Sequence, residues 1–98
     1  MKSVAYHRLA ASELIKSAKF YERRRPALGN AFLSAVETTV VNLQRSPELG
    51  RPGKYSTRSR KTGRFPFRIV YREEVDRLWI VAVSHLSRRQ DYWNRRLG

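Results

Sequence analysis

Residues 64–85 read RFPFRIVYREEVDRLWIVAVSH, and the periodicity of this stretch decides the fold. From Arg64 to Arg72 the chain alternates: Phe65, Phe67, Ile69 and Tyr71 fall on one face, and Arg64, Arg68, Val70 and Arg72 on the other. Glu73-Glu74-Val75-Asp76 is polar enough to turn the chain, and Leu78–His85 is dense in β-formers. Two such runs joined by a short polar turn predict an antiparallel hairpin with one face for a core and one that carries arginines.

Toward the N-terminus the period changes. Ala11, Leu14, Ile15, Ala18 and Tyr21 recur at helical spacing, with Ser12, Glu13, Lys16 and Lys19 on the opposite side. Arg25-Pro26 ends this helix, because the residue before proline resists the α region. A second stripe runs through Leu28, Phe32, Ala35, Val36, Thr39, Val40 and Leu43 and stops at Ser46-Pro47. The short break between the stripes predicts a helical hairpin. Residues 2–7 read as an opening strand with Val4 and Tyr6 on one face. Residues 49–63, LGRPGKYSTRSRKTG, read as loop with a short strand around Tyr55, and a short helix is expected from Asp91. The order β–α–α–β–β predicts an α+β domain, a small antiparallel β-sheet packed against an N-terminal α-helical hairpin. With 98 residues, a single domain over 1–98 is expected.

Charge narrows the partners. The chain carries 21 Lys+Arg against 8 Asp+Glu, a formal net charge of +13. Residues 51–98 hold 13 of the bases and 4 of the acids, so the excess is concentrated in the second half. A field this positive suits nucleic acid or an acidic protein, and guanidinium groups suit bidentate phosphate contacts. The absence of cysteine excludes disulfides, thiolate chemistry and the common structural zinc sites. No carboxylate pair for two-metal catalysis and no glycine-rich phosphate loop is present, so neither metal nor cofactor is expected. Ser84 and His85 are neighbours on opposite strand faces, which leaves a Ser/His/Asp hydrolase unsupported. Glu13, Lys16 and Lys19 interrupt any signal-peptide core, and no apolar run approaches the ~20 residues that cross a bilayer, so a cytoplasmic protein without membrane contact is expected.

Four segments in series carry a family resemblance: Ala18-Lys19-Phe20-Tyr21-Glu22, residues 26–33 (PALGNAFL), residues 64–71 (RFPFRIVY), and residues 80–85 (IVAVSH) followed by Arg88-Arg89 and Tyr92-Trp93. In this order and at this length the chain resembles the RelE/ParE superfamily, the toxins of bacterial type II toxin–antitoxin pairs. The resemblance implies growth inhibition by one of two routes. RelE-like members cleave messenger RNA on the ribosome, and ParE-like members poison DNA gyrase. Both are held inactive by an antitoxin, here expected to be an acidic, partly disordered chain. The RelE-like route leads this reading, the gyrase route is the alternative, and a basic nucleic-acid-binding module without toxicity is the third.

Metal-free RNA cleavage needs a base, cations for the phosphorane and an acid for the leaving oxygen. The resemblance implies Arg68, with Arg88 or Arg89, as phosphate ligands and His85 and Tyr92 as proton-transfer candidates. Arg64, by the same alternation as Arg68, and the loop cations Lys54, Arg58, Arg60 and Lys61 are the RNA-binding candidates. Bland readings stand beside these: Arg68 on a solvated face, His85 bonded to backbone, Tyr92-Trp93 plugging the terminal segment onto the core. The loop lysines do not fall at RelE spacing. His7, at the first strand–helix junction, reads as structural.

Overall fold

A computed structural model describes residues 1–97. Helix α1 (Arg8–Arg24) opens at His7, whose Nδ1 accepts from the Leu9 amide at 3.0 Å, and it closes at extended Arg25 before Pro26. Helix α2 (Leu28–Arg45) has no cap from its own N-cap residue, Ala27. The Glu22 carboxylate of α1 takes over, accepting from the Ala27 and Gly29 amides at 2.9 and 3.0 Å. An anion there satisfies two free amides and suits the positive end of the helix. The two helices touch at Gly29, where an added Cβ would stand 2.6 Å from the Ala18 carbonyl oxygen.

The hairpin packs on a five-stranded sheet: β1 (Ser3–Tyr6), β2 (Arg51–Pro52), β3 (Arg58–Lys61), β4 (Phe67–Glu73) and β5 (Arg77–His85), in spatial order β1-β5-β4-β3-β2. The expected antiparallel arrangement holds from β2 to β5, while β1 pairs parallel with β5 and makes the sheet mixed. No hairpin turn joins β1 to β5; both helices and three strands intervene, so no local turn fixes their relative direction. Among the described residues no helix is long and apolar enough to cross a membrane.

Phe65, Phe67, Ile69, Tyr71, Leu78, Ile80 and Val83 face the helices, as the alternation requires, and meet Phe32, Val36, Val40 and Leu43 of α2. Tyr21, Phe32, Phe65 and Phe67 form an aromatic cluster with ring centroids 4.9–6.2 Å apart, most of the pairs edge-on. The Tyr71 hydroxyl donates to the Pro47 carbonyl and accepts from the Gly50 amide at 2.9 Å, which ties the chain after α2 to the sheet. Gly50 is required for that approach, since a Cβ would lie 2.2 Å from the hydroxyl oxygen.

A smaller second core covers the opposite face. A bulge between Val70 and Tyr71 in the register with β5 leaves Val81 as an extra residue, and Val70, Val81 and Ala82 lie under Trp93. The terminal segment thus plugs the sheet, and its helical part is one short 3-10 turn, Asn94–Leu97.

Three expectations are corrected. The 49–63 segment holds two strands, β2 at Arg51–Pro52 and β3 at Arg58–Lys61, rather than one around Tyr55, which lies in a 3-10 turn at φ 61°. Arg64 lies before β4: the Phe65 amide bonds to the Thr62 carbonyl, and Pro66 has no N–H to offer a ladder. Ile15 is 53% exposed rather than in the core stripe.

Candidate functional site: an arginine-lined cleft

On the sheet face away from the helices, the start of β2, the turn after it, β3, β4 and the chain following β5 enclose a cleft of about 310 Å³. Arg51, Lys54, Arg58, Arg68, Arg88 and Arg89 line it. β-Sheet register explains the convergence. Arg68 pairs opposite Ser84 on β5, and both project to the helix-free side, while Phe67 and His85 alternate to the other. Arg58 is held by the Gly50 carbonyl at 2.8 Å. Arg88 lies over the Tyr92 ring, 3.8 Å from its centroid. Asp91, at φ 66°, is the one acidic residue on the lining, and it pairs with Lys54 at 3.2 Å. Five arginines and one lysine against one carboxylate make this an anion-receiving hollow.

The candidates divide accordingly. Arg68, Arg88, Arg89, Lys54 and Arg58 come together in the cleft, with His85 at its edge. Arg60, Lys61 and Arg64 do not. Arg60 donates to the Leu49 carbonyl at 3.2 Å, and Lys61 to the Gly63 carbonyl at 2.9 Å. Arg64 stacks on Phe65 at 5.2 Å, because the strand that would have aligned it with Arg68 begins three residues later.

The proton-transfer candidates are engaged elsewhere. The Tyr92 hydroxyl donates to Glu13 Oε2 at 2.7 Å; burial, then that bond to a carboxylate, push its pKa up to about 12. Such a phenol is a structural donor, neither a ready acid nor a base at neutral pH. His85 Nδ1 accepts from the Ser87 amide at 3.0 Å, and its ring stands edge-on to Phe67 at 5.0 Å. The Ser87 hydroxyl lies 2.7 Å from the same nitrogen, so both polar groups of Ser87 engage Nδ1. Among the described residues no group of three or more His, Asp or Glu side chains could hold a metal ion.

Arg51, Asp91, Glu13 and Arg96 were missed by sequence reasoning. Arg51 had a signal, since it begins the basic run that ends at Arg64. Glu13 and Arg96 had none, because only the fold brings them together.

A two-helix hairpin on a five-stranded sheet is the architecture expected of the RelE/ParE superfamily. Residues 4–92 match the family described as the ParE toxin of the type II toxin–antitoxin system parDE, and the chain belongs to that family. It is therefore the toxin half of a pair, with an antitoxin as partner. A solved structure, the chromosomal ParDE toxin–antitoxin system from P. aeruginosa, shares the fold: the TM-score is 0.77 at 22% identity, over 87% of this chain and 96% of that one. No curated protein sequence matches the chain.

Proposed function

We propose that this toxin acts by binding rather than by cutting, and that its target is DNA gyrase, the ParE-like route. The observation that carries this reading is the engagement of Tyr92 by Glu13 and of His85 Nδ1 by Ser87, which ties up both proton-transfer candidates beside the arginine cleft. Membership in the ParE family supports the same choice over ribosome-dependent cleavage of messenger RNA. The partner is an acidic antitoxin, met like the target in the cytoplasm. Apolar side chains for it are available on the helical side: a groove lined by Val4, Tyr6, Leu14, Leu33, Val36 and Val40 runs along α2, and Phe20 of α1 is 48% exposed.

The deciding experiment adds the purified chain to gyrase on relaxed plasmid and, in parallel, to a translation reaction whose transcript ends are mapped. Loss of supercoiling with accumulated cleaved DNA complexes is expected, with the transcript intact. Cut transcripts alongside unimpaired gyrase would overturn the proposal. His85→Gln and Tyr92→Phe should leave inhibition within about threefold of wild type, whereas loss of a general acid or base costs about 10²–10⁴-fold.

A further inference from the structure

We infer that the arginine cleft is a binding site for the phosphodiester backbone of DNA, so that the toxin grips duplex as well as protein in its target complex; this rests on the gyrase reading above.

Three observations carry it. The first is that four of the six cations face no carboxylate. Among the described residues, Arg51, Arg68, Arg88 and Arg89 enter no salt bridge; the same holds for most other cations of the chain, but these four share one hollow. Four guanidinium groups left without carboxylates in one hollow repel each other, and an external polyanion relieves that repulsion. The second is the residue type. Five of the six cations are arginine, whose planar fork matches phosphate oxygens and does not deprotonate. Arg68 projects from a central strand and Arg58 is braced by the Gly50 carbonyl, so part of the site is preorganised.

The third observation separates DNA from an acidic protein segment. The apolar groove along α2 that a peptide would use for anchoring shares no residue with the cleft, while the groove beside Phe20 and Tyr21 meets it at His85 and Arg88. A partner chain seated along α2 leaves the cleft open, and phosphate contacts need no apolar anchor. Asp91 serves as the internal stand-in: its carboxylate already holds Lys54 where a phosphate would sit. An incoming backbone displaces that pair, and the side chain of Asp91 then opposes it.

The test measures binding of a short fluorescent duplex to the full-length chain by anisotropy, over roughly 50–200 mM salt. Two double variants remove equal charge: Arg68→Gln with Arg89→Gln in the cleft, and Arg23→Gln with Arg24→Gln at the end of α1. The cleft pair should weaken binding at least about tenfold and reduce the salt slope by about two, one for each phosphate that is no longer neutralised. The α1 pair should change the slope by less than half as much. Asp91→Asn should tighten binding several-fold, since asparagine tolerates the left-handed backbone there. Equal losses from the two pairs would overturn the inference, as would displacement of the duplex by polyglutamate at matched charge concentration or a tenfold preference for RNA of the same sequence. Supercoiling is scored separately. Its persistence beside wild-type toxin, with duplex held in the cleft, removes the gyrase target alone; inhibition without cleft-dependent duplex binding removes the DNA site alone.

Discussion

The Glu13 carboxylate and the Arg96 guanidinium, 83 positions apart, meet through two parallel hydrogen bonds of 2.9 Å, Nη1 to Oε1 and Nη2 to Oε2. The pair sits beyond the end of β1, where β5 would otherwise present an open edge. There Glu13 Oε1 accepts from the Val83 amide at 3.0 Å and Arg96 donates to the Val81 carbonyl at 3.0 Å. Both residues thus complete a strand that has run out of neighbour, and in doing so they fasten the terminal segment over the sheet.

Breaking the pair should cost stability on that account. The side chains are only 16% and 11% exposed, so removing one charge strands the other. Glu13→Gln should lower unfolding free energy by about 2–4 kcal/mol, read from urea denaturation. The effect carries a pH signature. Burial pushes the Glu13 pKa up, but hydrogen bonds from Arg96, Tyr92 and the Val83 amide outweigh it and hold the carboxyl below its ordinary value of 4.5. A depressed folded pKa means the contribution is complete above the ordinary value and is lost as pH falls through the folded one. The gap between wild type and Glu13→Gln should therefore shrink below about pH 4.5. A gap that stays constant into acid would show that the pair does not set it.

Tyr92 gives the mirror case. Its pKa is raised from 10.0 to about 12, so the neutral phenol is favoured by folding; its contribution is complete below pH 10 and fades as pH climbs toward 12. Tyr92→Phe should cost about 1 kcal/mol at neutral pH, the value of one hydrogen bond whose acceptor keeps other donors. Between pH 10 and 12 the wild type should lose stability faster than Tyr92→Phe, and the two denaturation curves should converge.

Gly29 is a contact between helices rather than a flexible point. Alanine there gains about 1 kcal/mol in helix propensity. It also sets a methyl 2.6 Å from the Ala18 carbonyl oxygen, which is backbone and cannot swing aside, and 2.9 Å from the Glu22 oxygen that caps α2. Overpacking of this kind outweighs the propensity gain, and Gly29→Ala should destabilise by about 1–3 kcal/mol net. A thermal midpoint at or above wild type would mean that the helices separate at little cost.

Local patterning carried the parts of this fold whose side chains answer to a single face. The alternation from Phe65 to Tyr71 identified the core strand, and the stripe from Leu28 to Leu43 identified α2 with its stop at Pro47. Strand β3 escaped because Arg58–Lys61 is polar on both sides; it exists through pairing with β4, which composition does not register. For Tyr92, the hydrogen-bond partner was hidden for a related reason. Its neighbours Arg88 and Arg89 suggested phosphate chemistry, while its true partner Glu13 lies 79 positions away on α1. Arg68, Arg88 and Arg89 were legible as a cluster because strand parity and the position just after β5 bring them to one place.

Ala27 offers a substitution of opposite sign. It stands at φ 72°, in the left-handed region, at the start of α2. A Cβ in that conformation costs roughly 1–2 kcal/mol, whereas glycine adopts it without strain. Against this, glycine loses about 0.5–1 kcal/mol more backbone entropy on folding. The Ala27 amide still donates to Glu22 at 2.9 Å, a bond that glycine retains, and the residue is exposed, so no packing is lost. Ala27→Gly should therefore raise the unfolding free energy by about 0.5–1 kcal/mol, visible as a higher urea midpoint with an unchanged slope. A lower midpoint would place the backbone of residue 27 outside the left-handed region.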